Sequence, residues 1–330
     1  MFNNKNILIT GGTGTFGENF VEYLINQKIK FSKLIIYSRD EHKQFYFQNK
    51  LSNKEKKNIR FFIGDVRDLN RLKIAFKEVD IVIHAAAMKH VSTAEYNPFE
   101  CVSTNIIGAQ NVCLAAMSEN VKNVIALSTD KASNPINLYG ATKLAADKIF
   151  IGSNIMSGSN GCKFSVVRYG NVFGSRGSIL PLFRNLIANN TKEIPITDDK
   201  MTRFVITIKE AIEFVMNSLK IMRGGEIFIP KIPSIRIIDL AKALAPKLPI
   251  KIIGIRSGEK INESMFSSDE SLNIIEHKNH YIIEPNKDEH WYKSHFNKQY
   301  KKVEKDFSYR SDLNNNFLSI SQIKKIINKI

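Results

Sequence analysis

Cysteine is scarce: Cys101, Cys113 and Cys162 are the only three in 330 residues, and none stands in a CxxC or Cys/His spacing. An odd, scattered set builds neither a disulfide framework nor a zinc centre, so three small buried thiols are expected, and no metal. Long apolar runs are missing too. No stretch reaches the ~18 uninterrupted apolar residues that cross a bilayer, and Met1 to Lys5 lead into a strand-like run without a secretory apolar segment, so a cytoplasmic protein with no membrane partner is expected. Repeats and low-complexity linkers are absent, which excludes a solenoid or a tethered array. Acidic residues are in deficit, 32 Asp and Glu against 48 Lys and Arg, for a formal net charge of +16. Clustered, such an excess suits nucleic acid. Here lysines run from Lys5 to Lys329, and acids interrupt the modest concentrations at Lys54 to Lys57 and Lys298 to Lys305. The reading is a solvated basic surface that attracts an anionic ligand, with no nucleic acid.

What the chain does have is a series of short β-branched runs, each ending in small or polar residues. Asn6 to Thr10 precedes a glycine-rich turn, after which Phe16, Phe20 and Leu24 recur at helical spacing. Leu34 to Tyr37 ends in Ser38-Arg39-Asp40, Arg60 to Ile63 in Gly64-Asp65, and Ile81 to His84 in Ala85-Ala86-Ala87. Val124 to Leu127 ends in Ser128-Thr129-Asp130, and Phe164 to Arg168 in Tyr169-Gly170-Asn171. Helix-length segments lie between, including Asn105 to Glu119 and Ala141 to Gly152. This alternation predicts an α/β chain with a Rossmann-type doubly wound parallel sheet, whose ligands gather at the carboxyl ends of the strands. Beyond Pro181 the alternation fades into short strands (Glu226 to Ile229, Ile250 to Ile255) and helices (Lys209 to Lys220, Ile238 to Ala245). A cofactor-binding domain is expected over 1–180 and a smaller C-terminal α/β substrate-binding part over 181–330, with a soft boundary that the chain recrosses.

The turn Gly11-Gly12-Thr13-Gly14-Thr15-Phe16-Gly17 follows a strand and opens a helix, the context in which glycines let backbone amides approach a pyrophosphate. The end of the second strand selects between nicotinamide cofactors. An acid there accepts from ribose hydroxyls, whereas Arg suits a 2′-phosphate. Ser38, Arg39, Asp40 and, one turn on, Lys43 favour NADP, with Asp40 leaving NAD possible. Asp65 with Val66 is placed to meet the adenine, and Ala85 and Ala86 are small where backbone must pass close to the cofactor.

Tyr139 and Lys143 stand one turn apart on a helix, so they face the same way. An ammonium beside a phenol favours the phenolate and makes Tyr139 a base for an alcohol. Coupled to the glycine turn and the Asn105 helix at suitable separation, this YxxxK pair resembles the signature of the short-chain dehydrogenase/reductase superfamily in its extended form. Thr129 is placed to hydrogen-bond the substrate hydroxyl beside Tyr139, and Asp130 and Lys131 offer an acid and a base side by side, as an elimination needs.

The stretches GGTGTFG, YSRDEHK, GDVRD, HAAAMKHVSTAEYNPFE, ALSTDKASNPINLYGATK, RYGNVFGSRGS, MTRF, GGEIFIPKIPS and IIGIRSGEK resemble the inverting UDP-N-acetylglucosamine 4,6-dehydratases that begin pseudaminic acid synthesis. The likeness runs from residue 6 to about residue 260, with a weaker echo from Phe307 to Leu318. It implies a homo-oligomeric lyase that uses bound NADP without consuming it. Tyr139, activated by Lys143, is then the base for the 4-hydroxyl, Lys131 the base for the C5 proton, and Asp130 the acid for the departing 6-hydroxyl. By motif, substrate contacts fall on Lys89, Thr104, Asn171, Arg176, Gly177, Ser178, Thr197, Arg203, Arg256 and Glu259. Lys89 also serves the cofactor, as does Val172. The chain departs from the group at Ser257 and Asn262, where RPGEKLHE is usual, and more broadly over Lys278 to Lys305. Rival readings are a retaining 4,6-dehydratase or a 4-epimerase on the same scaffold, a silent NADP-binding regulatory protein and, last, a nucleic-acid binder.

Overall fold

In the computed structural model, which describes residues 1–158, 161–285 and 291–329, the apolar runs pair into one large sheet. Six strands enter in chain order: β1 (Asn6–Thr10), β2 (Lys33–Ser38), β3 (Ile59–Ile63), β4 (Ile81–His84), β5 (Asn123–Thr129) and β6 (Lys163–Tyr169). The N-terminal helices α1 (Thr15–Asn26) and α2 (Glu41–Lys50) follow β1 and β2. The parallel strands are ordered β3-β2-β1-β4-β5-β6, and the strand Ile227–Pro230 is added parallel to β6. Beyond it the sheet turns antiparallel through His280–Ile283, Ile274–Glu276 and Lys301–Lys302. Ile7, Leu8 and Ile9 are all fully buried, as in a parallel sheet covered on both faces, where runs are continuous rather than alternating.

Strand order reverses between β1 and β4, and the glycine turn sits at that switch point. Gly11 adopts φ +65°, and a Cβ there would lie 2.8 Å from the Ala86 backbone nitrogen, so the turn and the loop after β4 touch only because the side chain is missing. The register of β5 on β6 runs without a break from Asn123 opposite Lys163 to Thr129 opposite Tyr169. It delivers Thr129-Asp130-Lys131 and Tyr169-Gly170-Asn171 to the same edge.

The second half of the chain serves both layers. Helix Ile208–Ile221 buries Ile212, Val215 and Leu219 in the main core. A separate smaller core gathers Leu180, Phe183, Ile194, Ile196, Ile235 and Leu240 beneath the helices Ile179–Ala188, Ile237–Leu244 and Ile320–Ile327. Its framework is a three-stranded sheet in which Thr202–Ile206 lies between Asn171–Val172 and Ser234–Arg236, with Ile194–Ile196 paired to Ile250–Ile252 nearby. The three cysteines are buried and unpaired, and among the described residues no helix is long and apolar enough to cross a membrane. Of the divergent stretch Lys278 to Lys305, residues 286–290 lie outside the described residues.

At the switch point His84 is 2% exposed, and its Nδ1 lies 2.8 Å from the Thr10 hydroxyl. Burial, and secondarily the Lys143 ammonium, push its pKa down to about 3. The folded state therefore excludes a proton that the unfolded chain accepts below about pH 6.5. Stability should fall as pH drops from that value toward 3, by about 1.4 kcal/mol per unit. Urea unfolding at stepped pH is expected to show this slope, and His84→Asn to lose it.

Candidate active site

The carboxyl edge of the sheet and the smaller core enclose a cleft of about 860 Å³. Its cofactor end is built on α1. Gly14 is the N-cap and supplies no side-chain hydrogen bond, which leaves the first-turn amides of the helix directed at the cleft, a ready anion site. Gly11, Thr13, Gly14, Thr15 and Phe16 line it, followed by Ser38, Arg39, Asp40, Lys43, Asp65, Val66, Ala85, Ala86 and Val172. These residues fit a dinucleotide. Gly17 is the exception, because it is turned away and packed so tightly on Gly12 that a Cβ would strike the backbone carbonyl. It shapes the turn and does not line the site.

Not every cofactor candidate is free to bind. The Asp40 carboxylate caps α2 by accepting from the Lys43 backbone N–H at 2.9 Å, and it also pairs with the Lys43 ammonium at 3.0 Å. Those contacts hold its pKa below the usual carboxylate value. The Ser38 hydroxyl accepts from Gln44 at 2.9 Å. Asp65 takes the Arg67 guanidinium at 2.7 Å and the Arg39 guanidinium at 3.5 Å. Arg39 keeps a largely exposed side chain at the mouth of this end of the cleft.

The catalytic candidates converge from two elements. Helix Leu138–Ser157 starts one turn earlier than its apolar pattern suggests, because the Asn137 side chain accepts from the Gly140 amide at 2.8 Å. Gly140 is pressed onto the Lys131 carbonyl with no room for a Cβ, which seats Tyr139 beside the turn after β5. Lys143 lies below it and donates to the Leu127 carbonyl at 2.8 Å. The phenol behaves differently from the sequence expectation. Burial pushes Tyr139 up to about 12, and the cation that most opposes this is Lys131. Burial also lowers the Lys143 ammonium.

Thr129 donates to Asp130 Oδ1 at 3.0 Å, and Lys131 Nζ donates to the same oxygen at 3.0 Å. Tyr139, Lys143, Thr129 and Lys131 all line the cleft. Asp130 does not: it is wholly buried behind Thr129 and Lys131, and its Oδ2 has no hydrogen-bond partner among the described residues. Burial, opposed by Lys131 and reinforced by the nearby Glu263 charge, raises its pKa, which suits an acid that keeps its proton. Direct contact with a leaving group, as the adjacent spacing implied, is therefore closed to it.

Glu263 was not legible as a site residue. It reaches Lys131 Nζ at 3.0 Å from the far part of the chain, and Lys131 also approaches Asn171 Oδ1 at 3.4 Å. Asn105 was missed as a positioning group. A π-turn over Ser103–Ile107 interrupts the helices on either side of it and turns Thr104 and Asn105 inward. The Asn105 amide then holds the Met88 backbone at 2.8 and 2.9 Å and Thr142 at 3.0 Å. No periodicity in the apolar residues marks such a widened turn.

The residues carried over by motif for the substrate all line the cleft, though two have other work. The Arg203 guanidinium is spent on the carbonyls of Thr202, Ile261 and Lys260 at 2.7 to 2.9 Å. Arg176 bends back over the glycine turn, with its guanidinium on the Thr13 carbonyl at 2.6 Å, and its own carbonyl accepts from Lys89 at 2.9 Å. Thr197 donates to Glu259 at 3.1 Å, and Arg256 stands 3.8 Å from that carboxylate with most of its side chain exposed. The Thr104 and Ser178 hydroxyls are buried without a partner among the described residues. At the departure Asn262, the side-chain carbonyl accepts from Thr202 at 2.9 Å.

Residues 7–285 match the model of a family described as polysaccharide biosynthesis protein. The chain is 53% identical, over 99% of its length and 98% of the relative's, to the UDP-N-acetylglucosamine 4,6-dehydratase (inverting) of Campylobacter jejuni. It is 41% identical, over 99% of its length and 96% of the relative's, to the UDP-glucose 4-epimerase of Rickettsia bellii. Among solved structures it superimposes on Pen from Bacillus thuringiensis with a TM-score of 0.90 and 39% identity, covering 100% of this chain and 98% of that one.

Behind the site, Asp147 accepts from Ser128 at 2.9 Å and from the fully buried Arg168 at 3.2 Å, tying the Tyr139 helix to β5 and β6. A buried charge stripped of its partner is strongly destabilising. Asp147→Asn should therefore cost about 3 kcal/mol, to be read from denaturant midpoints at neutral pH.

Proposed function

Because the chain belongs to the polysaccharide biosynthesis protein family, we propose that it is a C5-inverting UDP-N-acetylglucosamine 4,6-dehydratase, a hydro-lyase that returns its nicotinamide cofactor unchanged. The observation that carries this reading is the amine of Lys131, half-buried in the cleft 3.0 Å from Asp130, at the end of β5 and beside the Tyr139 helix. An epimerase needs only to oxidise and reduce one carbon, for which Tyr139 and Lys143 suffice. A second base and a second acid next to them are what an elimination adds. The likeness to the Campylobacter jejuni enzyme supports the same choice.

When bound, the nicotinamide supplies reversible hydride storage between C4 and C6 of the sugar. The residues manage protons. Tyr139 takes the proton of the 4-hydroxyl, with Thr129 holding that hydroxyl in place. The ketone at C4 makes the C5 proton acidic, and Lys131 removes it. Asp130, shut off from the cleft, supplies the proton that leaves with the 6-hydroxyl as water, passing it through the Thr129 hydroxyl to which it is bonded at 3.0 Å. Thr104, Ser178, Asn171 and Thr197 offer hydroxyl and amide contacts for the sugar nucleotide, and Arg256 with Glu259 the charged ones. Arg203 and Arg176 act from behind, on the protein's own loops.

For the cofactor we infer NADP. Asp40 is occupied with the α2 N-terminus and Lys43, so the ribose side of the site presents the Arg39 guanidinium in place of a free acid. The same reading places the enzyme in the cytoplasm as a homo-oligomer in surface-glycan or pseudaminic acid synthesis. Support for assembly comes from Tyr96 and Phe99, 89% and 85% exposed on neighbouring helices, where a monomer would waste aromatic surface on water.

Incubation with UDP-N-acetylglucosamine in deuterated water, without added cofactor, should give a 6-deoxy-4-keto product carrying one deuterium at C5. Lys131→Ala should keep fold and cofactor yet lose that deuterium; normal dehydration by this variant would remove Lys131 from the mechanism. A product that keeps its 6-hydroxyl would mark an epimerase. In a separate measurement on refolded apoprotein, Arg39→Ala should weaken NADP by about tenfold or more while leaving NAD little changed, the worth of a charge-assisted contact.

A further inference from the structure

Glu263 is the second acidic group on the Lys131 ammonium after Asp130, and its backbone is held by Ser311. Its backbone N–H donates to the Ser311 hydroxyl at 2.9 Å, and the Ser311 N–H returns a bond of 2.9 Å to its carbonyl. The residue is 2% exposed, with Oε1 3.0 Å from Lys131 Nζ and 3.7 Å from Arg203 Nε, and with Oε2 buried and unpartnered among the described residues. Arg203 is in turn fixed by three carbonyls. A carboxylate with one orphaned oxygen, and a second such carboxylate in Asp130 across the same amine, is a costly arrangement for structure alone.

We infer that Glu263 is a positioning residue for the acid–base pair: it clamps Lys131 against Asp130 so that one proton, moved along one hydrogen bond, makes amine and carboxyl competent together. The inference rests on the elimination reading above. The Arg203 guanidinium, 3.7 Å away, balances the Glu263 carboxylate. Asp130 and Lys131 are left as a net neutral pair with a single proton between them. When that proton lies on Lys131 the two are an ion pair, with neither a base nor an acid to offer. When it crosses the 3.0 Å bond from Nζ to Oδ1, Lys131 becomes a free amine and Asp130 a carboxylic acid. Elimination then breaks the C5–H bond, whose proton goes to Nζ, and the C6–O bond, whose oxygen takes the Asp130 proton by way of the Thr129 hydroxyl and departs as water. The pair returns to its ionic form and nothing else is consumed.

The charged or titratable groups facing Lys131 and Glu263 are Asp130, Arg203 from strand Thr202–Ile206, Lys260 from the preceding loop, and Tyr139 from its helix. Of the carboxylates, Glu263 is held below its ordinary value by Lys131 and Arg203 against the cost of burial, while Asp130 is raised. The shared proton therefore belongs to Asp130 whenever Lys131 releases it.

The test is Glu263→Gln beside Glu263→Asp, with product formation followed across pH. Loss of the Glu263 charge removes attraction on the Lys131 ammonium and repulsion on the Asp130 carboxylate, so both limbs of the bell should move toward acid by about one pH unit. Turnover in Glu263→Gln should fall about 100-fold with KM for the sugar nucleotide unchanged within about threefold. Oxidation at C4 precedes the proton removal by Lys131, so reduced nicotinamide absorbance should build up in a single turnover. Glu263→Asp keeps the charge at a greater reach and should leave the bell in place with turnover about tenfold lower. Wild-type turnover and profile in Glu263→Gln, or a change in KM alone, overturns the inference and leaves the dehydratase reading standing. If Glu263→Gln does not fold, as circular dichroism will show, Glu263→Asp decides: full turnover overturns the proposal, lower turnover in an unmoved bell upholds it. A wild-type enzyme that forms no 6-deoxy product overturns both readings.

Discussion

The Lys131 ammonium stands 3.0 Å from Asp130 and 3.0 Å from Glu263, with its side chain only 20% exposed. An ion in that position loses much of its hydration, a penalty of several kcal/mol that close, well-directed partners must offset. The surrounding architecture can be understood from this requirement. Asp130 comes with Lys131 from the same turn. Glu263 has to be brought from a distant part of the chain, just before strand Ser264–Phe266, fixed by Ser311 and steadied by Arg203. Lysine in such a setting can become a base only if its proton has somewhere close to go, and the neighbouring carboxyl, raised by burial, is that place.

The two cores divide the labour. The large parallel sheet sets the heights of strand ends: β5 and β6 pair in continuous register, so the Thr129 turn and the Tyr169 turn emerge at one level. The smaller core then closes over that edge, while the Glu263 carboxylate reaches the amine from just before strand Ser264–Phe266, whose Met265 and Phe266 pack in the main core. The cleft lies between the two, and its cofactor end depends on the uncapped start of α1. Polar groups sit at this edge because parallel strands end there with unpaired backbone groups, and buried apolar side chains would leave those groups unsatisfied.

Much of this was legible in the residues. Val124 to Leu127 and Phe164 to Arg168 read as strands because both faces of the sheet are covered and their apolar runs are continuous. Tyr139 and Lys143 read as a pair because helical spacing alone puts them on one face. Other features were not legible, for identifiable reasons. The π-turn at Ser103–Ile107 carries no periodic signature. Asp40 looked like an acid for ribose hydroxyls, and α2 uses it as a cap. Arg203 looked like a substrate contact, and loop carbonyls claimed it. Lys143 was expected to lower the Tyr139 phenol, but burial dominates and Lys131 is the stronger opposing charge. In each case the competing partner lies nearby in space without being marked by its place in the motif.

The sequence by itself determined the alternation of strand and helix, the glycine turn at the start of α1, and the set of chemistries at the strand ends, since these depend on residues within a few positions of one another. The tertiary structure alone decided which of those groups face the cleft. Asp130 and Lys131 are neighbours in the chain, yet one is sealed behind the sheet edge and the other opens to the cleft. Glu263 is remote from both in the chain and touches Lys131. Burial and through-space charge depend on how the two cores close on each other, and no local spacing carries that information.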